Sequence, residues 1–342
     1  MQLLTTPKRD PWSRNHLIRD AIGQAIYDRM ASDPSVHLFG EGAHVKVHYD
    51  APQIERDFGD RVVTMPICED GSVNFAVGAS LLGVTPVVDV ITADFLYRAM
   101  DSISNTAAKL NFVRPDQPPR TIVIRAEFLT GGPTTGQRPE ALFAHIPGLN
   151  VVIPSTPRDA YGLMLTALDT PGVTLFFEDR MIRDENIQEA DKFRTVGGVG
   201  EKVPLGVACW RHRGLRGGVT VLSYGLMVQR IEQVLSPWKF DGDYYSENNK
   251  LGVDLIDLRS LYPLDWDFIQ KMLERTGKLL VIEPDVQYGG IGAEIVATIA
   301  EQMPEVRVKR LGGIRATIPA AMDWQSEIMP TEEQIRDSIS NW

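Results

Sequence analysis

The sequence predicts an α/β protein: a mostly parallel sheet with helices on both faces, followed by a second, smaller α/β unit. Short apolar runs alternate with helical patterns along nearly the whole chain, which is the signature of strand–helix–strand units. The strand candidates, such as 120–126 (R-T-I-V-I-R-A), are apolar without strict alternation, as strands covered on both faces should be. The chain has 342 residues, more than one ordinary domain needs.

Taken in order, residues 1–14 read as an unstructured arm. His16 to Ala31 carries Leu17, Ile18, Ala21, Ile22, Ala25, Ile26 and Met30 at helical spacing. Val36 to Phe39 is a short strand that ends in Gly40-Glu41-Gly42. A polar loop with His44 and His48 follows, then a short helix over 51–58. Val62 to Met65 reads as a strand end, Pro66 to Gly71 as a turn, and Ser72 to Leu82 as a helix of small residues closed by Gly83. Thr85 to Val90 is a buried strand. Thr92 to Tyr97 (T-A-D-F-L-Y) places an aromatic at a strand end, and Tyr97 to Phe112 reads as one long helix. The segment 128–138 (F-L-T-G-G-P-T-T-G-Q-R) has three glycines and a proline, so it is a loop at a sheet edge. A short helix (139–144), a strand (149–154), a helix (159–168) and a strand (173–177) complete the first unit.

Residues 184–203 read as a linker. The second unit has strands over 219–223, 252–257, 279–283 and 306–311, and helices over 227–235, 266–275 and 293–303. Residues 236–250 look like a surface insertion. Its D-G-D resembles a calcium loop but lacks the ligand spacing.

Composition bounds the function. The hydrophobic and charged fractions, 43% and 23%, are those of an ordinary soluble protein. No apolar run approaches the roughly 18 residues of a membrane span. The N-terminus lacks an apolar core followed by a cleavage site, so a cytoplasmic protein is expected. A net charge of −10 argues against general nucleic-acid binding. Cys68 and Cys209 are expected as free thiols, and no C-x-x-C or H-E-x-x-H metal spacing occurs.

The chain is organised around residues 62–95. Glu69 and Asp70 lie between an apolar run and the small-residue helix, at the mouth of a strand-to-helix turn. In open α/β sheets that edge is where ligands bind. A carboxylate there and an aromatic at Phe95 could hold a flat heteroaromatic ring by one charge-assisted hydrogen bond and one stacking face. Local pattern alone favours the plainer reading, in which Glu69 is a solvated charge and Phe95 a core residue.

A longer series of motifs shifts that balance. L-F-G-E at 38–41, P-I-C-E-D-G at 66–71, T-A-D-F at 92–95, P-E-A-L-F-A-H-I-P-G-L at 139–149, V-I-P-S-T-P at 152–157, D-L-R-S-L-Y-P-L-D at 257–265 and Y-G-G-I-G-A-E-I at 288–295 lie in order over nearly the whole chain. In these the chain resembles the β subunit of the thiamine-diphosphate-dependent 2-oxo acid dehydrogenase component, the group of the pyruvate, acetoin and branched-chain enzymes. The resemblance implies a transketolase-like pyrimidine-binding domain over 15–183 and a transketolase C-terminal domain over 204–342. It matches Glu69 to the glutamate that bonds N1′ of the aminopyrimidine, Phe95 to the aromatic packed on that ring, and Ile67 to an apolar residue beside it. It implies thiamine diphosphate shared with a separate α subunit, which binds most of the Mg²⁺ and carries the G-D-G…N motif absent here. The implied assembly has two α and two β chains, with an acyltransferase core bearing lipoyl groups as a further candidate partner.

Three departures accompany the match. The family loop ends H-S-Q-S-P-E-A, and its histidine faces the substrate. Here it runs T-G-Q-R-P-E-A, so Thr135 stands in the histidine's place. A histidine common in the C-terminal domain is Ile282 here, and Asp20 replaces a glutamate of the first helix. Thr135 and Gln137 are the candidate substrate-loop residues, and His44 and His48 candidate sources of an imidazole. His145, inside its motif, reads as structural. The implied activity is decarboxylation of a 2-oxo acid with acyl transfer. The alternatives are a transketolase-like or acyloin-forming subunit that passes its fragment to an aldehyde, and a non-catalytic scaffold subunit.

Overall fold

A computed structural model describes residues 18–41, 52–128, 135–179, 182, 201–214, 217–235, 252–319, 321, 324 and 327–342. The first half runs α1 (Ile18–Ser32), β1 (Val36–Gly40), α2 (Pro52–Phe58), β2 (Val62–Thr64), α3 (Glu69–Leu81), β3 (Thr85–Thr92), α4 (Leu110–Val113), β4 (Thr121–Phe128), α5 (Glu140–Ala144), β5 (Leu149–Val152), α6 (Pro157–Asp169) and β6 (Gly172–Asp179). The second runs β7 (Cys209–His212), β8 (Val219–Ser223), α7 (Leu226–Leu235), β9 (Val253–Asp257), β10 (Ser260–Tyr262), α8 (Trp266–Thr276), β11 (Lys278–Val286), α9 (Ile291–Gln302), β12 (Arg307–Gly313) and α10 (Glu332–Ser340). The expected arm (1–14), His44, His48, most of the linker and the 236–250 insertion lie outside the described residues. No helix among the described residues is long and apolar enough to cross a membrane.

The larger sheet has the order β10-β5-β6-β4-β3-β1-β2, and the smaller has β12-β11-β8-β9-β7. All pairings are parallel except β10 on β5 and β7 on β9. The α/β expectation therefore holds, with strands buried on both faces. Val123 and Ile124 face opposite apolar cores, as do Val221 and Leu222, and each core runs through both sheets. The apolar interior is divided by sheet face and continuous between the two halves. A strand from the second half, β10, also completes the first half's sheet. Ile153 N–H donates to the Arg259 carbonyl (2.9 Å), and the Arg259 guanidinium pairs with Asp159 (2.8 Å).

Several boundaries differ from expectation for physical reasons. The helix expected from Ser72 begins at Glu69, because Glu69 and Asp70 suit the positive end of its dipole. Residues 92–97 do not end a separate strand; Ala93–Tyr97 is a 3-10 turn that leaves β3. The long helix expected over 97–112 is broken into that turn, a π-helical stretch Ser102–Ala107 and the single turn α4. Ser102 donates to the Asp70 carboxylate, and Asn74 Nδ2 donates to Ser102 Oγ (2.6 Å), which ties the wide turn to α3. β7, β10 and α10 were not anticipated. The first two are short edge strands, and α10 sits behind Pro330.

The two halves also meet through a buried polar joint. Arg138 donates to Glu140 (3.0 Å) and Asp179 (3.1 Å), and its guanidinium lies 3.8 Å over the Phe128 ring. Across the joint lie Tyr224, Glu283 and Asp285. Burial, and then Glu140, push the Tyr224 hydroxyl well above its usual range and raise the Asp285 carboxyl. Burial pushes Glu283 up to about 7, opposed by the Gly292 N–H, which donates to its carboxylate (2.9 Å). A Cβ on Gly290 would come within 2.5 Å of the same carboxylate.

An acid whose folded pKa lies above its unfolded value binds its proton more tightly when folded. The stability Glu283 contributes is therefore complete below about 4.5 and lost as pH rises through about 7. The melting temperature should fall between about pH 5 and about pH 8, and Glu283→Gln should flatten that slope. Parallel melting curves of variant and parent across this range would show that Glu283 does not carry it.

Candidate functional site

Parallel strands send every strand-to-helix turn to one edge of the sheet. At that edge β1 is flanked by β2 and β3. Its last residue, Gly40, has φ +145°, and a Cβ there would lie 2.2 Å from the Asp89 carbonyl, so only glycine fits. Glu41 follows at once. β2 leads through Ile67 and Cys68 into Glu69 at the start of α3, and β3 leads through Thr92 into Phe95. The exits of β2 and β3 are two strand spacings apart, roughly 10 Å.

The two acids of the central stretch divide sharply. Asp70 is engaged by Ser102 and by Asn74 (3.4 Å), so it ties α3 to the π-helical turn. Glu69 is buried, 8% exposed, yet no donor reaches its carboxylate among the described residues. Its charged neighbour is Glu41, which accepts the Cys68 N–H (3.0 Å). Burial raises the Glu41 carboxyl, and the Glu69 charge raises it further. Two carboxylates side by side favour a proton or a donor between them and a ligand. Such a pair, one member without a hydrogen-bond partner, fits a ring nitrogen that shares a proton.

Phe95 is half-buried and packed on the apolar core. Ile67 is 84% exposed and stands open at the mouth. The turn carrying Phe95 is preceded by Ile91 at φ +63°, an uncommon conformation for a β-branched residue. It is held by the Asp89 carboxylate, which accepts the Ile91 N–H (2.9 Å). Strain of this kind costs about 1–3 kcal/mol and concentrates at functional edges.

The 135–138 segment comes to the same edge. Thr135 is half-buried and Gln137 exposed, while Arg138 turns inward to the joint. Ile282 is fully buried inside β11 and offers nothing to the mouth. His145 is exposed and lines a separate cavity of about 620 Å³ with Tyr262 and Trp266. Sequence reasoning passed over Glu41, Asp94 and Arg138. Glu41 and Asp94 lie in the motifs at 38–41 and 92–95 and Arg138 in the loop before the one at 139–149, but a motif does not say which of its polar residues converge.

The chain matches the family models of the transketolase pyrimidine-binding domain over residues 16–183 and the transketolase C-terminal domain over 211–335. It is 31% identical over 328 residues to the mitochondrial 2-oxoisovalerate dehydrogenase subunit beta 2 of Arabidopsis thaliana, covering 93% of this chain and 87% of that protein. It is 32% identical over 309 residues to the 2-oxoisovalerate dehydrogenase subunit beta of Bacillus subtilis, covering 86% and 88%. It is 28% identical over 331 residues to the pyruvate dehydrogenase E1 component subunit beta of Rickettsia conorii, covering 94% and 96%. A solved structure described as a split-gene transketolase, inactive beta4 tetramer, shares the fold at a TM-score of 0.74 and 18% identity, covering 95% of this chain and 97% of that one. With the two domain models in series over a transketolase-like fold, and relatives of this similarity along almost its full length, the chain belongs to the family of 2-oxo acid dehydrogenase β subunits.

Proposed function

We propose that this chain is the β subunit of a thiamine-diphosphate-dependent enzyme that decarboxylates a 2-oxo acid and transfers the acyl group. The observation that carries the reading is Glu69, largely buried at the start of α3, with Glu41 as its charged neighbour and no donor on its carboxylate among the described residues. When bound, thiamine diphosphate supplies the nucleophilic carbon and the electron sink for decarboxylation.

The protein's own residues position and protonate. Glu69 would share a proton with N1′ of a bound aminopyrimidine. Glu41, its carboxyl raised by burial and by Glu69, stands beside that carboxylate. Phe95 offers a ring face, and Ile67 closes the mouth once a ligand or a partner subunit covers it. The diphosphate and Mg²⁺ fall to a separate α chain in an assembly of two α and two β. An acyltransferase core bearing lipoyl groups is the proposed acceptor.

One observation favours a second reading, a transketolase-like or acyloin-forming subunit. Thr135 occupies the loop position of the family's histidine, and the loop's single cation, Arg138, is buried against Glu140 and Asp179. A threonine does not act as acid or base near neutral pH, so the loop suits an acceptor that needs no imidazole, such as an aldehyde.

Titration calorimetry of thiamine diphosphate with Mg²⁺, on this chain alone and mixed with its α chain, tests the split site. Binding in the mixture alone is expected, and no binding in either would return the chain to the scaffold reading. In the mixed enzyme Glu69→Gln should lower turnover at least about a hundredfold, the scale of a lost proton-transfer group, without changing α pairing by gel filtration. Turnover within about threefold of the parent would remove Glu69 from its role. Acylation of a free lipoyl domain by Thr135→His separates the two readings: a gain of about tenfold or more supports the dehydrogenase, and no gain, with aldehyde ligation intact, supports the carboligase.

A further inference from the structure

Two consecutive main-chain amides of the 135–138 segment converge on one carboxylate. Gly136 N–H donates to Asp94 Oδ2 (3.1 Å) and Gln137 N–H to Asp94 Oδ1 (3.0 Å). Gly136, at φ +105°, turns the chain so that its own N–H and the next both meet the Asp94 carboxylate. The result is an anion nest built from backbone and filled by the protein's own side chain. Thr92 Oγ1 donates to the same Oδ2 (3.0 Å), so Asp94 accepts three hydrogen bonds while 6% exposed. Phe95 is the next residue, in the same 3-10 turn. The following side chain of the segment, Arg138, is fixed on Phe128, Glu140 and Asp179.

We propose that Asp94 is a positioning residue that locks the Thr135–Gln137 backbone to the turn carrying Phe95, so that the ring face and the substrate loop keep one spacing. The inference rests on the proposed function for what the loop faces, and on the hydrogen bonds alone for the lock. The Thr135 and Gln137 side chains then form a wall of fixed position, and the 2-oxo acid accepted is set by the room between that wall and Phe95. Asp94 touches neither substrate nor cofactor; it acts through the loop.

The test is amide hydrogen exchange at Gly136 and Gln137 in the full-length chain, with no cofactor or α chain needed. Asp94→Asn keeps the shape but turns one acceptor into a donor that opposes a loop N–H. Both amides should exchange about tenfold faster or more, the scale of one lost charge-assisted bond, with the overall melting transition retained. Thr92→Val removes the third donor and leaves both amides paired, so their exchange should stay within about twofold of the parent. Unchanged exchange in Asp94→Asn, or an equal rise in both variants, overturns the lock. In the reconstituted enzyme Asp94→Asn should raise KM for the 2-oxo acid more than it lowers kcat. A fall in kcat with KM unchanged would overturn the placement of the wall. If the parent enzyme turns over no 2-oxo acid, the proposed function fails while the exchange result still decides the lock.

Discussion

The close approach of β1 to β3 governs the geometry of the site. Gly40 lies so near the Asp89 backbone that any side chain there would push the two strands apart. With the strands in register, the Asp89 carboxylate reaches forward to the Ile91 N–H and stabilises its left-handed conformation. That bend ends the ladder and throws the chain into the 3-10 turn of Asp94 and Phe95. On the other side of the same glycine, Glu41 points to the start of α3 and receives the Cys68 N–H. One missing side chain thus sets the separation between the carboxylate pair and the aromatic face.

Two buried arginines are each answered by carboxylates. Arg125 forms a two-pronged pair with Glu178 inside the sheet; removing either partner would strand a charge in a dry interior, which costs more than the pair gains. Arg138 is the cation of the 128–138 segment. Its guanidinium is held by Glu140, Asp179 and the Phe128 face, so the loop's only cation belongs to the joint between the two halves. The mouth is left with a hydroxyl and an amide.

The two halves are bound more closely than their separate sheets suggest. The apolar cores follow sheet faces across both halves, and β10 crosses over to pair with β5. The polar joint of Arg138, Glu140, Tyr224, Glu283 and Asp285 sits behind the substrate loop. The 135–138 segment and the Phe95 turn are joined on that framework by the Asp94 carboxylate.

Much of the fold was legible because its causes are local. Apolar runs marked the central strands, and helical spacing marked α6 from Asp159, two residues after its start at Pro157, where Thr156 accepts the Asp159 N–H. β7, β10 and the π-helical turn were not legible, since edge pairing and a side-chain tie to α3 are contacts between distant residues. Of the site, the order of the motifs singled out Glu69, Phe95 and Ile67. The sequence by itself determined the α/β class, the position of the acidic pair at a strand-to-helix turn and the lack of any histidine in the 128–138 segment, because these depend on residue identity and spacing. Only the tertiary structure decided that Asp70 is tied down and Glu69 left without a donor, that Glu41 stands beside it, and that Asp94 grips the loop. Each of those follows from convergence in space, and the strand order that produces it, with β1 between β2 and β3, is written in no single stretch of chain.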